Sequence, residues 1–226
     1  MNDKQKLTST TGSIVASIRN NSFILGVFAL ACTGFIAATY LGTDEKITAQ
    51  IREARLKALL EIIPRSQHDN DLLADSITLK INELGHRGEE QLFLAQKKQQ
   101  PVAIIYPVTA RDGYSGDINF IVGIHLTDGS IAGVRVLSHK ETPGLGDKID
   151  LRKSRWILSF NDRSLGNPVI EQWRVKKDGG VFDSFTGATI TPRALTHSIA
   201  STLEYHRLHH KELLAAFAQA KNNRRD

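Results

Sequence analysis

The sequence predicts an α+β fold: a single N-terminal transmembrane helix, then one soluble domain with a mostly antiparallel sheet and flanking helices. Three observations carry this. Twenty residues, Ser22 to Leu41 ("SFILGVFALACTGFIAATYL"), hold no charged side chain. Three β-like segments rich in branched and aromatic residues lie mid-chain, between Gln100 and His139. Helical patterns flank them, over residues 43–63 and from Pro192 onward.

Bulk composition agrees. The chain has 226 residues, 41% of them hydrophobic and 23% charged, which suits one domain of moderate size with an appendage. The net charge of +5 is a mild excess, and no Lys/Arg block with interleaved aromatics occurs, so nucleic acid is not an expected partner. Cys32 is the only cysteine, which leaves no intrachain disulfide and no thiolate set for zinc or an iron–sulfur cluster. Any redox chemistry must use a cofactor held by other means.

The elements follow in order. A helix over residues 22–41 covers roughly 30 Å, the thickness of a bilayer's hydrocarbon core. A cleaved signal peptide is the rival reading. The length of the run, and an end whose best small-x-small approximation is Ile36 and Ala38, favour an uncleaved anchor. Charge does not set orientation: Lys4, Lys6 and Arg19 precede the span, and Lys46, Arg52, Arg55 and Lys57 follow it. In "TDEKITAQIREARLKALLEIIP", Ile47, Ile51, Leu59, Leu60 and Ile63 recur near helical spacing; Thr43 or Asp44 is the expected N-cap and Pro64 the stop. This helix is expected to pack on the following domain, with a continuation of the anchor as the alternative. Residues 65–91 are polar and poorly periodic, and predict loops with one or two short strands.

"QPVAIIYPVTA", "DINFIVGIHLT" and "SIAGVRVLSH" predict strands, the last two joined by a hairpin turn at "TDGS". "IDLRKSRWILSF" predicts a short helix with Trp156, Ile157 and Phe160 inward. "NPVIEQWRVKKDGG" predicts another strand ending in a turn. Trp156 and Trp173 are expected in the core.

The chemistry sits in "DSFTGATIT", Asp183 to Thr191. Thr191-Pro192 predicts a helix start, with threonine as cap and proline in first position. Thr189 and Ile190 then lie at the lip of a helix N-terminus, where free N–H groups and the helix dipole favour an anion. Gly187 allows close approach of backbone to a ligand. Taken alone, this motif reads first as an ordinary capped helix after a glycine turn, since such caps are common. Two more stretches add to it. "SHKETPGLGDKI" places Pro143, Gly144 and Gly146 in a tight loop, and "VKKDGG" sets Lys176 and Lys177 before a double glycine. Together the three could form a pocket for a phosphorylated planar cofactor, although spacing does not establish that they converge. His206 and His210 share a helix face at i,i+4, but no third ligand is evident, so no metal site is expected.

"DGYSGDINFIVGIHLTDGSIAGVRVLSHKETPGLGDKI", "WRVKKDGG" and "DSFTGATITPRA" closely resemble the FMN-binding domain of the G subunit of the Rnf (Rsx) electron-transport complex. The same domain type occurs in the C subunit of the sodium-translocating NADH:quinone reductase. The resemblance covers roughly Pro101 to Leu203. It implies a cytoplasmic N-terminus over residues 1–21, the span over 22–41, and a helical linker with the first part of the soluble domain over 42–100. The FMN-binding core would cover 101–205, and the end of the C-terminal helix with its tail 206–226.

In that family FMN is attached covalently, its phosphate esterified to the threonine that ends a Ser/Thr-Gly-Ala-Thr motif. Here the motif is Thr186-Gly187-Ala188-Thr189, which makes Thr189 the implied attachment residue, with Thr186 orienting the turn and Thr191 capping the helix. A flavin transferase would install the group from FAD. Implied ring contacts are Glu141, Thr142, Gly144 and Leu145, and Lys176 or Lys177 would face a reduced flavin. The implied setting is a bacterial inner membrane, crossed once, with the C-terminal domain on the periplasmic side. The implied role is an electron carrier between partner subunits of an ion-translocating ferredoxin/NAD oxidoreductase, with no substrate turnover of its own. Two other readings stay open: a membrane-anchored flavoenzyme acting on a small substrate, and a structural assembly subunit without flavin.

Overall fold

A computed structural model describes residues 3–224. Helix α1 runs unbroken over Asp3–Ile62. Within it, Ile18–Asp44 is long and apolar enough to cross a membrane, and none of its hydrophobic window is buried inside the protein. Phe23, Leu25, Phe28, Leu30, Phe35 and Leu41 are all exposed. A helix apolar on every side and uncovered by protein needs lipid or other helices around it.

The expected cap at Thr43 or Asp44 does not form. The Thr43 hydroxyl instead donates to the carbonyl of Thr39 at 2.8 Å, one turn back, and the helix continues through it. Threonine side chains in helix interiors use this bond when no helix end is present. The helix expected after the anchor is thus the same helix, the alternative reading of that segment.

Chain contacts divide the protein into two units, residues 1–53 and 54–226. The second unit is built on five antiparallel strands in sequence order: β1 (Ser76–Leu79), β2 (Glu90–Lys97), β3 (Gln100–Ala110), β4 (Ile118–His125) and β5 (Ile131–Ser138). β3, β4 and β5 lie within the three segments that the sequence predicts. The β4–β5 turn closes as expected, with Gly129 N–H donating to His125 and the Asp128 carboxylate accepting from Ser130. β1 and β2 extend the sheet N-terminal to residue 101, which falls inside the β2–β3 hairpin. That hairpin turns on Lys98 and Gln99, both at positive φ. Neither is the glycine or asparagine that normally marks such a turn, so it leaves little trace in the sequence.

Two expected elements come out differently. The short helix expected in "IDLRKSRWILSF" is confined to a 3₁₀ helix over Arg155–Phe160, with Ile157 and Phe160 buried as expected and Trp156 half-buried. The strand expected over 167–180 is replaced by 3₁₀ turns at Ile170–Gln172 and Lys176–Asp178. Its Trp173 instead joins an aromatic cluster with residues on either side of the segment: Trp173 lies 5.0 Å from Phe182, and Phe182 stacks on Phe160 at 4.5 Å. Burying rings of this size outweighs extending a sixth strand. Trp173 is in this core, and half-buried Trp156 borders it, donating its indole N–H to the Asp183 carbonyl.

Helix α2 (Ile190–Asn223) covers one sheet face with Leu195, Ile199, Leu203, Leu213 and Phe217. The last turns of α1 cover the other face through Leu59 and Ile62, with Ile63 just past the helix end. Their seat is a notch made by the cross-strand pair Gly123 and Gly133. A Cβ at Gly123 would lie 2.3 Å from the Ile62 Cγ2, and one at Gly133 would lie 3.4 Å from Ile62. Arg135 secures the same end, pairing with the Glu61 carboxylate at 2.8 Å and donating to its carbonyl. Gly123→Val is therefore expected to destabilise the protein by about 2 kcal/mol through overpacking. Thermal unfolding reads this directly, and an unchanged midpoint would remove the notch from the account.

Candidate functional site

The three stretches singled out in the sequence do converge. The turn 186–189 leads straight into α2, whose first residue is Ile190. The helix thus starts two residues before the sequence predicts. Thr189 is the N-cap residue, and Pro192 falls at the third helical position, where a missing N–H still costs nothing. Thr191 is not the cap. Its side chain is fully buried and its hydroxyl donates to the Glu141 carboxylate at 2.6 Å. The Thr189 side chain makes no capping bond either, and the residue is half-buried. Among the described residues, no protein group accepts from the N–H of Ile190 or Thr191. The positive end of a 34-residue helix therefore lies beside an uncommitted threonine hydroxyl.

Gly187 is exposed at φ +81°, and Thr186 beside it is exposed too. Half-buried Ala188 closes the turn by donating its N–H to Phe185. Leu145 reaches this turn from the glycine loop: its Cδ2 would lie 3.7 Å from a Cβ on Gly187. Leu145 and Thr142 are exposed, and Gly144 sits at φ +79° with open space where a Cβ would point. The Asp147 carboxylate holds the loop by accepting from Gly144 N–H at 2.8 Å.

Glu141 behaves differently from its neighbours. It is 5% exposed, and its carboxylate is turned inward, away from solvent. Nothing in the sequence signals this, because its partners Ser115 and Thr191 are 26 and 50 residues away.

The lysine turn arrives from the third side. Lys176 pairs with Asp183 at 2.6 Å, although both side chains are well exposed and such a pair adds little stability. Asp178 receives a two-pronged bond from Arg193 in the first turn of α2, at 2.6 and 2.8 Å. The Arg193 guanidinium holds the Asp178 carboxyl below the usual carboxylate range. Lys177 is exposed next to it. These two ion pairs are what the sequence could not show.

His206 lies far from this region, buried against the sheet. Its Nδ1 meets the Tyr106 hydroxyl at 2.8 Å, and its ring stacks on His210 at 5.1 Å. Among the described residues, no three His, Cys, Asp or Glu side chains gather as a metal set.

The residues present suit a phosphate-bearing cofactor. The turn offers a free hydroxyl at a helix N-terminus, and two positive-φ glycines leave backbone open toward solvent beside it. Fold and site thereby define a class: an antiparallel-sheet domain with a phosphate-ready helix start, in a chain that also carries an apolar helix of membrane-spanning length. Residues 113–204 match the FMN-binding domain family, and residues 5–62 match the RnfG N-terminal region. The chain belongs to the family of the G subunit of ion-translocating oxidoreductase complexes. It is 45% identical over 200 residues to the G subunit of the ion-translocating oxidoreductase complex of Vibrio cholerae, covering 88% of this chain and 95% of that one. It is 47% identical over 186 residues to the protein of the same name from Shewanella baltica, covering 82% and 87%. Among solved structures, NqrC of Shewanella oneidensis aligns with a TM-score of 0.41 at 20% identity, over 55% of this chain and 61% of that one.

Proposed function

We propose that this protein is an electron-carrying subunit of a membrane-bound, ion-translocating ferredoxin/NAD oxidoreductase complex, and that its carrier is an FMN esterified to Thr189. The family assignment and the relatives' names support the complex. The observation that carries the attachment is the Thr189 side chain, free of any capping bond at the start of α2. FMN, once bound, supplies the redox chemistry, and the protein has only to hold it, tune it and leave an edge open to partner subunits. The N-terminus of α2 stabilises the negative charge of a phosphodiester at Thr189. Gly187 keeps the approach to that hydroxyl clear. Leu145 of the 142–146 loop lies nearest the turn, and Lys176, paired with Asp183, and exposed Lys177 are the cations that a reduced flavin would meet. A flavin transferase forms the ester: the Thr189 oxygen displaces AMP from FAD at the FMN phosphorus, and the hydroxyl proton is lost.

Full-length protein coexpressed with its flavin transferase should give a fluorescent band on a denaturing gel. Its intact mass should exceed that of the bare chain by one FMN less one water. A flavin-free band would sink this reading in favour of an assembly subunit.

The apolar helix anchors the protein in the bacterial inner membrane, and we place residues from about Gly42 onward on the periplasmic side. A covalent link suits that side, where lost FMN is not readily replaced. Protease added to spheroplasts should digest the domain. Digestion only after lysis would reverse the orientation.

A further inference from the structure

Glu141 stands at the junction of three segments distant in sequence. Its Oε1 accepts from the Ser115 N–H at 3.0 Å, and its Oε2 accepts from the Thr191 hydroxyl at 2.6 Å. Its own N–H donates to the His139 Nδ1 at 3.1 Å. Two glycines keep room for the carboxylate. A Cβ on Gly146 would lie 2.6 Å from Oε2 and 2.8 Å from the Thr191 Oγ1, and one on Gly113 would lie 3.0 Å from Oε1. A carboxylate this buried is costly unless its oxygens are matched by donors, and here each oxygen has one. The bonds also have direction. Thr191 lies two residues past Thr189, and Leu145, four residues past Glu141, meets the turn at Gly187.

We propose that Glu141 is a positioning residue for the flavin: the carboxylate locks the 142–146 loop and the 113–116 loop onto the start of α2. The distance between the attachment oxygen of Thr189 and the loop wall is thereby set before any cofactor arrives. With both carboxylate oxygens turned inward to Ser115 and Thr191, Glu141 would act through the loop, in place of the ring contact that the family resemblance implies. This inference rests on the proposed attachment at Thr189.

The test compares full-length Glu141→Ala, Glu141→Gln, Thr191→Val and Leu72→Ala, each coexpressed with the flavin transferase. Leu72 is buried under the opposite sheet face and serves as a purely structural control. Three quantities are read: covalent flavin per chain by intact mass, visible circular dichroism of the bound flavin, and hydrogen exchange of the peptide containing Ser115 in flavin-free Thr189→Ala backgrounds. Glu141→Ala is expected to lower flavin dichroism per bound flavin at least twofold and to speed Ser115 exchange at least tenfold. Thr191→Val should change the dichroism in the same direction. Glu141→Gln should recover most of both signals, because its amide oxygen can still accept from Ser115 while its amide nitrogen donates to Thr191. The double variant Glu141→Ala/Thr191→Val should be no worse than Glu141→Ala, since the two act through one bond. Leu72→Ala should lower thermal stability and leave both signals unchanged in folded protein.

Wild-type dichroism in Glu141→Ala overturns the proposal, whether or not exchange has quickened. So does an equal loss of dichroism in Leu72→Ala, which would make the effect one of general stability. A wild-type protein without flavin would defeat the functional reading instead. The exchange measurement, which needs no flavin, still decides then whether Glu141 ties the segments together.

Discussion

Thr189→Ala is expected to reduce covalent flavin from about one per chain to none while leaving a folded domain. The Thr189 hydroxyl makes no capping bond, so its removal takes away little native structure, and the stability change should stay within about 0.5 kcal/mol. Its two threonine neighbours differ in a way that peptide mass mapping can exploit. Thr191 is fully buried, and its hydroxyl points inward to Glu141, so its oxygen is out of reach of a phosphorus in the open site. Thr186 is exposed, but it stands on the far side of Gly187 from the helix N-terminus. Thr186→Ala should therefore weaken modification without abolishing it. An adduct mapped to Thr186 or Thr191, with Thr189 free, would reverse the assignment.

The second large effect is on pH stability, and it arises at His206. Burial, with the neighbouring His210 as a smaller cause, pushes the His206 imidazole down to about 4. Burial also raises Tyr106 well above its ordinary value, so its phenol stays protonated and pairs with Nδ1 of a neutral ring. An unfolded chain takes up a proton on this histidine near pH 6.5, whereas the folded chain resists until about 4. Stability contributed by the neutral ring is thus complete above 6.5, falls steadily as pH drops toward 4, and is lost below it. The total is about 3 kcal/mol. Denaturant unfolding of detergent-solubilised protein at pH 7, 5.5 and 4 should show this fall. In His206→Gln, where an amide oxygen can still accept from Tyr106, the decline over that range should be shallower by most of that amount. Parallel curves for the two proteins would assign the acid sensitivity elsewhere.

Much of the fold was legible because its signals are local. The charge-free run from Ser22 to Leu41, the three strands from Gln100 to His139 and the Asp-Gly hairpin each declare themselves within a dozen or two residues. The unbroken passage of α1 through Thr43 was not legible, because a threonine that caps a helix and one that back-bonds within it look alike in sequence. Nor was the loss of the strand over 167–180, which followed from an aromatic cluster drawing on Phe160, Trp173 and Phe182 together.

The site divides the same way. By itself the sequence singled out the candidate segments: the Thr186–Thr189 turn before a helix, the glycine loop and the lysine turn, since each depends on residue types within a few positions. Only the tertiary structure decided that these meet, that α2 begins at Ile190 with Thr189 rather than Thr191 as its N-cap residue, and that Thr191 and Glu141 face inward on each other. The physical reason is that a cap, a turn and a helix period are encoded by neighbours along the chain. A buried carboxylate's partners are chosen by which distant segments the packed sheet and helix bring within 3 Å, here across 26 and 50 residues.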